Sequence, residues 1–330
     1  MSDHPPSILA TDPRHAVPGG RIAIHGSFDP ARAHAHRVFF GDQRAQVMRV
    51  SSGTISTVVP AAATAEVRVE RDGVSSGTHA ISLADTIADE LQPVANPVFD
   101  REGILYVTFS GSRGEKVPVS VYCIGDDGTV EPFVSDILNP TGLAWGPDDC
   151  LYVSSREEGA VYRVSSDREV DLVADELGTA TGLAFDPEGI LYVGDRRGTI
   201  FRIEPNGEPR SFVHLEPSVA AYHMVFDSEG NLFVTAPSLA SVDPIYRIDV
   251  DAQVTKLYEG FGRPQGMAFD DEGALYVTEG LIGGSGVYRL RRDGSPERVV
   301  ASPPLVGLAF DGDGGLVLAS TSTVYRLALG

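Results

Sequence analysis

Residues 182–194 read GLAFDPEGILYVG: an apolar strand, an acidic turn ending in glycine, and a second apolar strand. The phrase recurs as NPVFDREGILYVT (96–108), GLAWGPDDCLYVS (142–154), HMVFDSEGNLFVT (223–235), GMAFDDEGALYVT (266–278) and GLAFDGDGGLVLA (307–319). Its aromatic anchors, Phe99, Trp145, Phe185, Phe226, Phe269 and Phe310, are spaced by 46, 40, 41, 43 and 41 residues. A period near 40 built only of strands is the signature of small sheets set around an axis, a β-propeller. Six copies predict six blades, and an all-β fold.

Each copy continues into two more strands. The third reads VYRV (161–164), IFRI (200–203), IYRI (245–248) and VYRL (287–290 and 324–327), with VYCI (121–124) in the first copy. The recurring arginine reads as scaffold that pairs with turn acids. The fourth residue after each anchor is glycine, except Asp149. A tight hairpin needs left-handed backbone there, which Gly adopts freely and Asp tolerates. The last copy has no fourth strand of its own. TIADEL (86–91) matches LVADEL (172–177), a fourth-strand segment, yet precedes the first copy. Residues about 84–88 are therefore expected to pair with the last blade and close the ring, because an open ring exposes an unpaired edge. Closure would set the N-terminal residues against the sixth blade.

Residues 1–83 lack the repeated phrase and form a separate unit from the propeller at 84–330. The runs RIAIHG, HRVFFG, AQVMRV, TISTVV, AEVRVE and THAISL, separated by turn residues, predict an immunoglobulin-like β-sandwich. His34 and His36, two residues apart, would share a strand face, but no Cys or carboxylate cluster accompanies them as a metal site needs. Cys123 and Cys150 are too few for a disulfide framework and read as core thiols.

Composition narrows the function. Net charge is −20, and the 13 acids of the six repeated turns make one rim acidic. Such a rim repels phosphate backbones and anionic lipid, so neither nucleic acid nor membrane is an expected partner. The opening MSDHPPSIL has no basic segment or long apolar core, which makes a cytoplasmic location the default.

What every repeat shares is scaffold; what breaks the repeat is a candidate for function. Three residues before the anchor, four copies have Gly142, Gly182, Gly266 and Gly307, whereas the first and fourth have Asn96 and His223. Those two blades would oppose each other over the channel mouth, beside Tyr222 and Gln265. The loops between second and third strands add Arg156, Glu157, Asp195, Arg196, Ser238, Asp243 and Glu279. The first reading is a binding protein whose mouth holds a small polar molecule or a peptide. The second is a lactone- or ester-type hydrolase, or a lyase, with His223 as acid/base assisted by Tyr222, Asp243 or Glu279. A Ser238–His223–Asp243 relay is one form of it. The third is a non-catalytic scaffold. A divalent cation on the channel axis is the one cofactor left open.

The stretches PSILATDPRHAVPGGRIAIHGSFDP and VFFGDQRAQV, with the late Val-Pro of ISTVVPAAATAEVRVERDG, resemble the IPT/TIG immunoglobulin-like family. That resemblance implies a structural or binding spacer and a protein contact through the N-terminal unit. The repeated turns resemble the NHL-type repeat and the six-bladed gluconolactonase and senescence marker protein family. In that family the metal ligands are acidic or Asn side chains just ahead of the inner strands. The matching positions here are Ala95, Thr141, Thr181, Tyr222, Gln265 and Val306, none acidic, so the resemblance does not carry metal-assisted lactone hydrolysis to this chain.

Overall fold

The computed structural model describes residues 4–281, 284–291 and 293–329. The fold is all-β with a propeller-like arrangement of sheets. In repeat two, the strands Pro140–Trp145, Leu151–Ser155, Ala160–Val164 and Val170–Ala174 pair antiparallel in chain order. Repeats one, three and four form equivalent four-stranded sheets, ending at Val134, His214 and Phe261. In the last repeat the outer place is taken by Asp85–Ala88, which pairs antiparallel with Val324–Leu327. Repeat five is the core of a six-stranded sheet, extended beyond Pro296–Ala301 by His15–Ala16 and then Ser82–Leu83, both parallel.

The repeated phrase explains the joints. Five of the six anchors pack on the aromatic ring of the preceding repeat's second strand. Ring centroids lie 5.2 Å apart for Trp145 on Tyr106, 4.9 Å for Phe185 on Tyr152, 5.0 Å for Phe226 on Tyr192, 5.2 Å for Phe269 on Phe233 and 5.0 Å for Phe310 on Tyr276. Such pairs contribute about 0.5–1.5 kcal/mol each beyond the area they bury. At the remaining joint Phe99 packs in one cluster with Val317, which stands where other repeats carry Tyr or Phe. The turns behave as their sequence requires. Asp186 Oδ1 accepts from the amides of Glu188 and Ile190, and Asp100, Asp227, Asp270 and Asp311 repeat the pattern. Asp149 takes φ 63°, the conformation its glycine counterparts adopt.

The inner-strand glycines mark close backbone approach. A Cβ on Gly142 would lie 2.1 Å from the Thr181 carbonyl oxygen, and one on Gly307 would lie 2.4 Å from that of Ala95. No side chain fits at these places.

Residues 7–12 and 21–75 form strands paired in one continuous path, with His79–Ala80 added beside Glu66–Arg71, wrapped round Ile22, Ile24, Val38, Phe40, Ile55, Val67 and Val69. Gln43–Val50 links the two halves, pairing through its first residues with His36–Phe40 and through its later ones with Thr54–Val58. His34 lies in the turn Pro30–Ala35 and is exposed, whereas His36 begins the next strand and is buried, so they share no strand face. This unit docks on the outer edge of repeat five, not on repeat six as its nearness to residues 84–88 suggested. Ala301 belongs to its core cluster, and Val17 N–H donates to the Ala301 carbonyl at 2.8 Å. The physical reason is an edge that needs covering: the N-terminal segment protects the outer strands of both repeats five and six. No helix among the described residues is long and apolar enough to cross a membrane.

Candidate functional site

Opposite the tight acidic turns lie the loops that vary between repeats. The structure sorts their polar residues into those that hold the fold and those left with unspent chemistry.

Asn96 holds the fold. Its Nδ2 donates to the Met267 carbonyl at 2.7 Å, and its Oδ1 accepts from the Leu308 amide at 3.2 Å. One side chain thus ties repeats one, five and six, and neither polar atom reaches toward His223. Gln265 bonds the Leu305 carbonyl through Nε2 at 3.3 Å.

Tyr222 is not at the mouth. It is fully buried between repeats three and four, where its ring fills the space above Gly194, and its hydroxyl donates to the Glu216 carbonyl at 2.5 Å. Burial, then the nearby Tyr246, Asp195 and Glu216, raises its pKa, so the phenol stays protonated. His223 is 3% exposed and its Nε2 has no hydrogen-bond partner. Burial alone lowers its pKa to about 4. At neutral pH the ring is uncharged and a weak base, with no carboxylate acting on it.

The loop acids accept hydrogen bonds from loop amides, and Asp243 keeps its Oδ2 buried without a partner. Asp195 Oδ1 accepts from the amides of Thr179 (2.8 Å) and Arg197 (3.1 Å). Glu279 occupies the equivalent position in repeat five and accepts from the Arg263 and Leu281 amides. Asp243 Oδ1 accepts from the Ser238 amide at 3.1 Å and hydroxyl at 2.5 Å. Ser238 and Asp243 therefore meet, but no hydrogen bond joins either to His223 among the described residues. No hydrogen bond among the described residues joins His223 to Tyr222, Asp243 or Glu279. No group of three or more His, Cys, Asp or Glu is placed to hold a metal ion among the described residues.

Two arginines are different. Arg156 and Arg196 each follow the end of a second strand, Leu151–Ser155 or Leu191–Asp195, in adjacent repeats. The two strand ends flank one residue: Ser154 Oγ donates to the Thr181 carbonyl at 2.7 Å, and Thr181 Oγ1 to the Gly194 carbonyl at 3.0 Å. Arg156 Nη2 donates to the Gly111 carbonyl at 3.3 Å, and Arg196 Nη2 to that of Val219 at 2.7 Å. Neither has a carboxylate within ion-pair distance among the described residues. Burial first, and the charge of Arg196 next, lowers the pKa of Arg156. Glu157 accepts from the exposed Arg113 at 3.3 Å instead.

Asn139 and Ser110 carried no sequence signal beyond an Asn-Pro step. Asn139 is fully buried at φ 47°, donating to the Ser110 and Ser112 carbonyls and accepting from the Gly114 amide, each at 2.7 Å. It braces the loop that Arg156 touches. Ser110 is buried, and its Oγ has no partner. Beside it a hollow of about 520 Å³ opens between repeats six and one.

No protein-family model matches the chain, and no curated protein does. Solved structures do. An auxiliary nutrient binding protein from Bacteroides ovatus matches with TM-score 0.58 at 14% identity, over 99% of this chain and 98% of that one. A protein provisionally assigned as a gluconolactonase matches with TM-score 0.61 at 17% identity, over 74% and 91%. A catalytically inactive virginiamycin B lyase from Staphylococcus aureus, solved with quinupristin, matches with TM-score 0.56 at 12% identity, over 93% and 99%. At these identities the likeness is one of fold: the chain is similar to propeller-type proteins.

Proposed function

We propose that this chain is a binding protein: a six-bladed propeller at 84–330, preceded by an IPT/TIG-like sandwich at 1–83, that takes a small polar molecule or a peptide on its loop face. The six-blade reading counts the antiparallel core of repeat five as a blade beside the five four-stranded sheets. The observation that carries the function is the pair Arg156 and Arg196. In a chain of net charge −20 they follow equivalent strand ends of adjacent repeats, each bonded to a backbone carbonyl and neither in an ion pair among the described residues, on the face where repeats differ. The charge of Arg196 acts on Arg156, partly offset by Glu157. A positive charge near Arg156 disfavours its charged form, and a ligand carrying negative charge or strong acceptors offsets that.

Ligand binding is also the role for which the auxiliary nutrient binding protein from Bacteroides ovatus is named. The hydrolase or lyase reading has less support. Tyr222 is tied to a backbone carbonyl, Glu279 and Asp243 to loop amides, and His223 is buried without a charged neighbour. The sandwich serves as a brace for repeat five and as a surface for a protein contact.

Amide-resolved NMR tests this. A panel of short peptides and polar metabolites should shift amides of 110–114, 156–158 and 196–198 at micromolar to millimolar concentration. A panel that shifts only amides of the acidic turns, or rapid turnover of a lactone or ester at the loop face, would refute it.

A further inference from the structure

Resting on that reading of the loop face, we propose that the ligand is an oxyanion with an apolar body, its charge held at Arg156 with Arg196 beside it and its body in the hollow between repeats six and one. The hollow is lined by Leu91, Pro93, Val94, Ser110 and Gly111, among others, with the exposed acid Glu90 in the same lining, and its volume of about 520 Å³ is in the range that takes small molecules. Gly111 joins the two parts of the site. It forms part of the hollow's wall, and its carbonyl accepts from Arg156 Nη2 at 3.3 Å, so the guanidinium stands at the rim.

The chemistry of the ligand follows from what is left unsatisfied. A guanidinium has five N–H donors in a planar fork that matches a carboxylate or phosphate. The Gly111 carbonyl occupies one donor of Arg156, and no acid approaches it or Arg196 within ion-pair distance among the described residues. A cation would add to the charge already crowded there. A neutral apolar molecule would fill the space beside Leu91, Pro93 and Val94 but leave the arginines as they are. Ser110, which also lines the hollow, is 0% exposed, and its buried Oγ has no partner.

Carboxylate and phosphate share this chemistry, and titration calorimetry on the full chain at low salt distinguishes them with octanoate and octyl phosphate. Octanol, octylammonium and acetate are the controls. One or both anionic amphiphiles should bind at least about ten-fold more tightly than every control, the worth of one charged hydrogen bond. Arg156→Met and, separately, Val94→Glu should each weaken that binding about ten-fold or more, with melting temperatures near that of the wild type. Should Arg156→Met fail to fold, Arg196→Met and Val94→Glu carry the same test. Octanol binding as well as octanoate would overturn the charge, and acetate binding as well would overturn the apolar body. If neutral or cationic ligands move the amides of 110–114 and 156–158 while neither octyl anion does, the ligand class falls and the loop-face reading stands. If nothing moves those amides, both fall.

Discussion

His223 allows a quantitative test, because burial is the whole cause of its shift. In the folded chain its pKa drops from the ordinary 6.5 to about 4. Between those values the unfolded chain holds a proton on this ring and the folded chain does not. The unfolded state binds more protons, so stability rises with pH across that window. The contribution is complete above pH 6.5 and lost progressively as pH falls to about 4. At 1.36 kcal/mol per pH unit the full loss is about 3 kcal/mol. Other groups titrate in the same range, so the test is a difference. His223→Leu removes the titration, and with no partner on Nε2 it leaves no hydrogen bond broken there. Urea unfolding of both proteins from pH 4 to 7.5 should show the wild type losing about 3 kcal/mol more than the variant. Parallel profiles would refute the burial argument and reopen the imidazole as an accessible acid/base.

Two substitutions probe how the ring is packed. Gly142→Ala should destabilise by about 1–3 kcal/mol, since its methyl would meet the Thr181 carbonyl at 2.1 Å and backbone cannot yield as a side chain can; an unchanged urea midpoint would contradict the close approach of inner strands. Asn139→Ala should cost about 2–4 kcal/mol in the same assay, because it strands buried carbonyls of Ser110 and Ser112 together with the Gly114 amide. It should also weaken ligand binding by loosening the loop beneath Arg156, and a variant that binds as the wild type does would remove Asn139 from the site's support.

The parts of the fold visible in the sequence are those that repeat. The anchors announce their own joints, because each must bury an aromatic ring against the preceding sheet. Asp149 stands for a glycine because both tolerate φ near 60°. The match of TIADEL to LVADEL located the strand that pairs with Val324–Leu327, since edge strands at equivalent places share a burial pattern. Interactions between repeats were less visible. Tyr222 looks like a rim residue when its own repeat is read alone, but Gly194 in the preceding repeat replaces the Thr or Ser of most copies and opens the space that takes the ring. The two deviations compensate each other, and reading them together would have placed Tyr222 inside. Asn96 breaks the glycine pattern for a structural reason, as a clasp between carbonyl and amide of two other repeats. The docking of the N-terminal unit on repeat five was hidden because His15–Ala16, two residues long, has no strand pattern to detect.

The most direct test of the account observes the arginine side chains themselves. Nitrogen-detected NMR of arginine Nε–Hε groups during octanoate titration should move the Arg156 and Arg196 signals along one saturable curve and leave Arg202 in place. Arg202 lines a groove of about 440 Å³ at the acidic-turn end, with Glu188, Phe226 and Glu229. A response at Arg202, or none at Arg156 and Arg196 at saturation, would place recognition elsewhere and contradict the account.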